Sequence, residues 1–333
     1  MEEGFRIWAN PSSPHAEGRK ARAALEDARE RIKAALGWDG ELIFTSGASE
    51  ALWIALNRSK AKRRIASAVE HDAVFLAAPD AEIAPVHSIK IAMSVPEDIG
   101  LCGTVDLDRL SDCADAVVAV QHLNSEGGVV QPVSKIAEIV RAQGGVLVSD
   151  CSQSAGKYPL PDADMLVISA HKFGGPIGIG ALLVRDFNLL EPMGGHERGY
   201  RQGTENAPAA LGMAAALEAE AFPALSTRKS EWSEFDEFFE ENNPLLSCTT
   251  CGHINAFWHP ELSAQALLIR LDAMGFAVSA GSACSSGTLK KSRVLDAFGM
   301  SDEDAAKTIR VSYGWSTTVE DLDRFVEAWN SLL

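Results

Sequence analysis

Short apolar runs that each end in a polar or glycine-rich turn, separated by segments of helical period, constrain this 333-residue chain more than any other feature. Glu41–Thr45, Ser88–Ala92, Ala116–Gln121, Gly145–Ser149, Met165–Ile168 and Ile179–Val184 are short and bounded by turn residues, so they read as strands. One more apolar run lies between Arg64 and Val74, near Glu70-His71. Ala24, Leu25, Ala28, Ile32, Ala35 and Leu36 recur at helical spacing over His15–Leu36, with Gly37 as the stop. The segment from Ser46 through Leu56 and Val133–Ala142 read as further helices. Strand alternating with helix predicts a mostly parallel sheet flanked by crossover helices. Beyond a long helical region, Pro208–Phe239, the order changes to strand (Ile254–Trp258), helix (Ala264–Met274), strand (Ala277–Ser279) and closing helix (Val319–Leu332), a smaller α+β domain. The start, Met1–Trp8, reads as the tail of an amphipathic helix that Asn10-Pro11-Ser12-Ser13-Pro14 breaks.

Parallel sheets bind ligands beyond the carboxyl ends of their strands, and Thr45, Asn124, Asp150 and Lys172 all stand near expected ends. Lys172 follows the buried run Asp164–Ser169 and precedes Phe173-Gly174-Gly175-Pro176. A lysine delivered from a buried strand is placed where desolvation makes its amine nucleophilic, as a Schiff base requires. The turn Ser46-Gly47-Ala48-Ser49-Glu50 joins a strand to a helix N-terminus, whose free N–H groups and dipole suit phosphate. Asp150, with Gln153 beyond it, supplies a carboxylate that can keep a pyridine nitrogen protonated. Phosphate cradle, carboxylate and lysine are together what pyridoxal phosphate asks of a protein.

Charge narrows the partners further. A formal net charge of −16 argues against a nucleic-acid backbone or an anionic membrane surface. No apolar run reaches the roughly 18 residues of a spanning helix, and no signal-peptide core is present, so a cytoplasmic location is expected. Six scattered cysteines, Cys102, Cys113, Cys151, Cys248, Cys251 and Cys284, fit a reducing compartment. Cys248-Thr249-Thr250-Cys251 with His253 is a lone CxxC, weak evidence for zinc or redox chemistry against the plainer reading of two ordinary thiols before a strand.

The order of these motifs resembles the pyridoxal-phosphate enzymes of fold type I, the class V aminotransferase group, and within it the cysteine desulfurases. Asn10-Pro11-Ser12-Ser13 with His15 and Gly18-Arg19, Thr45 to Glu50, Glu70-His71 and Asn124-Ser125-Glu126 carry the resemblance. It continues through Asp150 to Lys157, Ser169 to Lys172, Gly203-Thr204-Glu205-Asn206 and Ser279 to Cys284, over nearly the whole chain. The resemblance implies a seven-stranded-type sheet. Residues 12–220 would form the large cofactor-binding domain, and residues 1–11 with 221–333 a small domain carrying a mobile cysteine loop. It also implies roles. Lys172 holds the cofactor and moves the α proton, Asp150 pairs with the ring nitrogen, Gln153 with the ring oxygen, and His71 stacks on the ring as an acid–base group. Ala48, Ser49, Ser169 and His171 hold the phosphate with Thr204 from the other subunit of a homodimer. Asn124 meets cofactor and substrate, and Arg310 grips the substrate carboxylate. Cys284, among small residues, takes sulfur from L-cysteine as a persulfide, releases L-alanine and passes the sulfur to a protein acceptor for iron–sulfur cluster or thio-cofactor assembly. No resident metal is expected, with Cys284 the residue placed to touch a nascent cluster in passing.

Some positions depart from the pattern. Family members carry an Asp/Asn-Asn/His-Ala-Thr-Thr run ahead of the Asn-Pro-Ser-Ser motif, and this chain starts after it. Ser125 stands where Asn is usual, Ser49 where Thr is common, Leu52-Trp53 where Asn is frequent and Trp315 where Arg is frequent. The alternatives to a desulfurase are a selenocysteine lyase or other class V lyase or aminotransferase, and an inactive structural subunit lacking the N-terminal segment.

Overall fold

The computed structural model describes residues 1–88, 103–219, 238–239, 241–245, 248–281 and 291–333. Strands β1 (Glu41–Thr45), β2 (Arg63–Ser67), β3 (Glu82–Ala84), β4 (Ala116–Ala119), β5 (Val146–Asp150), β6 (Met165–Ser169) and β7 (Gly180–Val184) form a seven-stranded sheet in the order β1-β7-β6-β5-β4-β2-β3. Helices α1 (Glu2–Arg6), α2 (Ala16–Leu36), α3 (Ala48–Asn57), α4 (Asp72–Ala77), α5 (Val133–Ala142) and α6 (Ala207–Glu218) accompany it. The smaller sheet pairs β8 (Ile254–Trp258) with β9 (Thr308–Ser312), and α7 (Ala264–Ala273), α8 (Arg293–Ala297), α9 (Asp302–Ala305) and α10 (Val319–Asn330) complete the described elements. The fold is the α/β architecture expected, a mostly parallel sheet flanked by helices.

The strands β3, β2, β4, β5 and β6 run parallel to one another, whereas β7 is antiparallel to both β6 and β1. The link over residues 170–179 is too short for the crossover a parallel connection needs, so the chain turns back on itself. Burial explains why the inner strands read clearly: β4, β6 and β7 are buried at every position, with helices on the sheet faces. At the edge, β3 buries only Ala84, which is why its sequence carries no strand signal. Ala277–Ser279 corrects a second expectation. It is no strand; only Ser279 makes a single bridge, to Arg310. Most of Ser88–Ala92, and the helical region from 220 to 237, lie outside the described residues.

Local chemistry sets the helix ends. His15 Nδ1 accepts from the Gly18 N–H at 3.1 Å to start α2, and Gly37, in the left-handed region at φ 63°, ends it. Thr318 and Asp321 close a capping box on α10. Contacts group Met1–Ala84, Leu107–Leu123 and Pro132–Ala221 into one compact unit and Pro85–Asp106, Asn124–Gln131 and Phe222–Leu333 into a second. In the larger unit, α1 packs on α6 so closely that a Cβ on Gly4 would lie 2.5 Å from the Pro208 Cα. In the smaller unit Phe257, Phe325 and Trp329 bury their rings against one another beneath β8 and β9. No described helix is long and apolar enough to cross a membrane.

Candidate functional site

The larger unit gathers its chemistry at strand ends. After β1, Thr45 Oγ1 donates to the Gly47 carbonyl at 3.0 Å, and Gly47 takes φ 154° and ψ −176°, a conformation essentially reserved for glycine. Gly47 is the N-cap of α3 and brings no side chain, so the first N–H groups of the helix, at Ala48 and Ser49, keep their hydrogen-bonding capacity and positive dipole end. A Cβ on Gly47 would stand 3.9 Å from Ser169 Oγ, so the missing side chain leaves room between helix and hydroxyl for an anion. Gly180 must also be glycine, because its Cβ would lie 2.8 Å from the Gly47 Cα.

Ser169 closes β6, and its Oγ lies 3.0 Å from His171 Nδ1. Desolvation first, then the neighbouring Lys172 charge, lowers the His171 pKa and favours a neutral ring. Lys172 follows on the single turn Ala170–Phe173, where Phe173 is buried and Lys172 is exposed. That exposure corrects the expectation of a desolvated amine: the short turn carries the side chain clear of the strand.

Asp150 ends β5, the neighbour of β6, in register with Val167. It is half-buried, and its Oδ1 accepts from the Ser152 N–H at 2.8 Å, which fixes the carboxylate at the strand end. Gln153 is half-buried on the turn that follows. His71 caps α4, its Nδ1 accepting from the Ala73 N–H at 3.1 Å, which puts the neutral ring's proton on Nε2. Its loop is tied to the segment just past β4, since Glu70 Oε1 accepts from the Gln121 N–H at 2.8 Å and Gln121 Nε2 donates to the Val69 carbonyl. Burial pushes the Cys151 thiol up to about 12, which makes it wall rather than nucleophile.

The smaller unit holds a second cluster. Asn124 is fully buried, with Oδ1 accepting from the Glu126 and Gly127 N–H groups at 2.9 and 2.7 Å, so that oxygen is engaged by its own loop. Arg310 lies in mid-strand on β9 opposite Ala256, and its backbone exchanges hydrogen bonds with Ser279. Its guanidinium donates to the Ser125 carbonyl at 2.8 Å and to Ser279 Oγ at 3.2 Å. Thus the Asn124 loop and Arg310 share one cluster, with Ser279 joining them.

Thr204 stands exposed at the end of the glycine-rich loop, in which Glu197 and Arg198 adopt φ 47° and 56°. Two consecutive non-glycine residues in the left-handed region cost roughly 1 kcal/mol each. Of the departures noted above, Leu52 is buried whereas Trp53 and Trp315 are exposed. Cys284 and its flanking residues, 282–290, lie outside the described residues, as does Cys102.

Sequence reasoning missed several supporting groups. Ser279 was visible only as part of the run toward Cys284. His122 was hidden behind the apolar run to Gln121: its N–H donates to the Asp150 carbonyl at 2.9 Å, and its Nδ1 is buried with no partner among the described residues. Burial drives its pKa down to about 4.

These donors fit pyridoxal phosphate: an anion site at a helix N-terminus beside a hydroxyl, an amine three residues beyond that hydroxyl, and a carboxylate on the next strand. Comparison with known proteins agrees. The family model described as aminotransferase class-V matches residues 3–325. The cysteine desulfurase IscS 1 of Archaeoglobus fulgidus is 33% identical over 96% of this chain and 88% of its own length. A NifS-like protein from Rickettsia africae superposes with a TM-score of 0.83 at 26% identity, covering 99% of this chain and 94% of that one. SspA, solved in complex with cysteine, gives a TM-score of 0.73 at 25% identity over 96% of each chain.

Proposed function

The chain belongs to the class V aminotransferase family, whose members work with pyridoxal phosphate, and from that membership we propose a cysteine desulfurase that converts L-cysteine to L-alanine and retains the sulfur as a persulfide on Cys284. The observation that carries the reading is the grouping at the sheet's carboxyl end: the uncapped start of α3, Ser169 with His171, and Lys172, with Asp150 on the adjacent strand. Resemblance to proteins named cysteine desulfurase, and to one solved with cysteine, supplies the substrate.

When bound, pyridoxal phosphate supplies an electron sink for bonds at the substrate α carbon. Ala48, Ser49, Ser169 and His171 hold its phosphate, with Thr204 supplied by a second copy. Asp150 would pair with the ring nitrogen, Gln153 with the ring oxygen, and His71 would cover the ring. Lys172 Nζ is the group that would hold the cofactor, and it would carry the proton at the substrate α carbon. Arg310, its plane fixed by Ser125 and Ser279, binds the substrate carboxylate through two N–H donors. The Cys284 thiolate bonds to the substrate sulfur as the carbon–sulfur bond breaks, and a proton delivered to the β carbon completes alanine. A protein with a free thiol then accepts the sulfur, in iron–sulfur cluster or thio-cofactor assembly. The chain acts in the cytoplasm as a homodimer.

The test incubates purified protein with pyridoxal phosphate and L-cysteine and follows cofactor absorbance, alanine and sulfide. With dithiothreitol present to reduce the persulfide and release its outer sulfur, wild-type protein should form alanine and sulfide in equal amounts. Lys172→Ala should lose the lysine-dependent absorbance band and all turnover, whereas Cys284→Ser should keep the band and lose sulfur transfer. A band that never yields alanine from cysteine, while selenocysteine is turned over, would overturn the desulfurase reading.

A further inference from the structure

The loop that ends in Thr204 is fastened more firmly than an exposed loop requires. Glu197, whose side chain is 1% exposed, accepts from Arg29 Nη1 and Nη2 at 2.8 and 3.0 Å, a bidentate pair. The same carboxylate accepts from the Phe44 N–H at 2.8 Å, and Arg29 Nη1 donates to the Leu42 carbonyl. Arg29 also lies over the Phe44 ring, 4.7 Å from its centroid. Burial opposes the Arg29 charge, and its hydrogen bonds to Glu197 and Glu26 raise its pKa nonetheless.

Leu42 and Phe44 belong to β1, the outermost strand of the sheet, so the ion pair occupies polar groups on the free edge of the strand that leads into the phosphate cradle. Farther along the loop, His196 and Arg201 exchange backbone hydrogen bonds at 2.7 and 3.3 Å. Arg201 Nε reaches both carboxylate oxygens of Glu50 at 3.2 Å. Glu50 lies in the first turn of α3 and accepts from the Ser46 N–H at 2.5 Å. The loop is therefore tied twice to the cradle, once to the strand before it and once to the helix after it, and then runs out through Gly203 to Thr204.

Taking Thr204 as the residue given to the phosphate site of a second copy, we infer that the Arg29–Glu197 pair, with Arg201–Glu50 as its second tie, is the positioning device that sets where Thr204 is presented. Two left-handed residues in succession persist only when the surroundings over-determine them, and the pair supplies that constraint. A buried ion pair is poor at raising stability compared with apolar groups of the same volume, and good at specifying one geometry. A hydroxyl that crosses to another subunit gains from its hydrogen bond only when already in place, and a tie to the donor's own cradle keeps both ends of the site in register.

The test measures the dissociation constant for pyridoxal phosphate by absorbance titration, with a melting curve for each variant. Thr204→Ala should weaken binding by about tenfold, the loss of one hydrogen bond to a charged group. Glu197→Gln leaves Arg29 with only the more exposed Glu26 as counter-charge and should lower the melting temperature, so the decisive variant changes both, Arg29→Met with Glu197→Met. This pair of changes should weaken cofactor binding about as much as Thr204→Ala, and adding Thr204→Ala to it should weaken binding no further. Arg201→Gln, at the less buried tie, should show the same non-additivity in smaller measure. Multiplicative losses, or unchanged affinity in the charge-free pair, would reduce the ion pair to an edge cover and overturn the inference while leaving the role of Thr204 standing. Unchanged affinity in Thr204→Ala alone would overturn that role itself, and the inference with it.

Discussion

In the larger unit the candidate residues stand at or just past strand ends: Thr45, Asp150 and Ser169 close β1, β5 and β6, and His71 and Lys172 follow on the next turns. In the smaller unit Arg310 sits inside β9, its backbone paired with Ala256 on one side and with Ser279 on the other. A strand end offers unpaired backbone groups and a turn that can be shaped by one glycine, which suits a phosphate and a flat ring. A mid-strand arginine has its backbone locked, so its guanidinium can be aimed only by what touches the side chain, here Ser125 and Ser279. The first arrangement is set by backbone conformation and the second by side-chain contacts, and substitutions of each kind should separate them.

The largest effect is expected at Arg310. Lysine at that position is a single point charge that cannot contact Ser125 and Ser279 and also present two parallel donors. Arg310→Lys should lower kcat/KM for L-cysteine by about 100-fold, chiefly through KM, with cofactor absorbance unchanged. Steady-state kinetics beside a cofactor titration decides it. Equal losses in cofactor and substrate binding would erase the proposed division of labour between the clusters.

Gly47→Ala should come next. Alanine cannot adopt φ 154° with ψ −176° without strain, at a cost on the order of 2 kcal/mol, and its Cβ would enter the space beside Ser169. Gly144→Ala is the control, because Gly144 has φ 78° but nothing within 4 Å of an added Cβ. Both variants should lose stability in urea unfolding, while only Gly47→Ala should weaken cofactor binding. Loss of affinity in both would mean that general destabilisation, rather than the shape of the turn, governs the cradle.

The same contrast explains what the sequence alone could reveal. Strand ends announce themselves: the apolar runs to Thr45, Ser149 and Ile168 stop in polar or glycine-rich residues, and so Asp150, Ser169 and Lys172 could be placed together before any geometry was known. The direction of β7 could not, because an apolar strand reads the same both ways and only the short link after β6 reverses it. The tie between Arg310 and Ser279 spans 31 positions, and the approach that makes it has no local pattern. Glu197 carries no local sign of burial, since its burial depends on Arg29 arriving from α2. His122 was obscured by the apolar run before it, which made Gln121 the apparent end of the strand.

His122 offers the finest test of the strand-end cluster. Each unit holds an imidazole with a lowered pKa: the buried His259 in the smaller one accepts two backbone N–H groups at Nδ1, whereas the half-buried His122 in the larger one buries an Nδ1 that no described residue reaches. Burial alone holds His122 near 4, against the usual 6.5 of an exposed ring. Between those values the unfolded chain binds a proton that the folded chain does not, so stability falls as pH drops from 6.5 toward 4 and is unaffected by this group above that window. At pH 5 the loss amounts to about 2 kcal/mol. Urea unfolding at pH 7.5 and pH 5 should show wild-type protein losing that much more stability than His122→Gln, whose side chain does not titrate. Parallel losses in the two proteins would mean that the ring takes up its proton while folded, which requires an acceptor at Nδ1 and would make the strand-end cluster as fully paired as the one around Arg310.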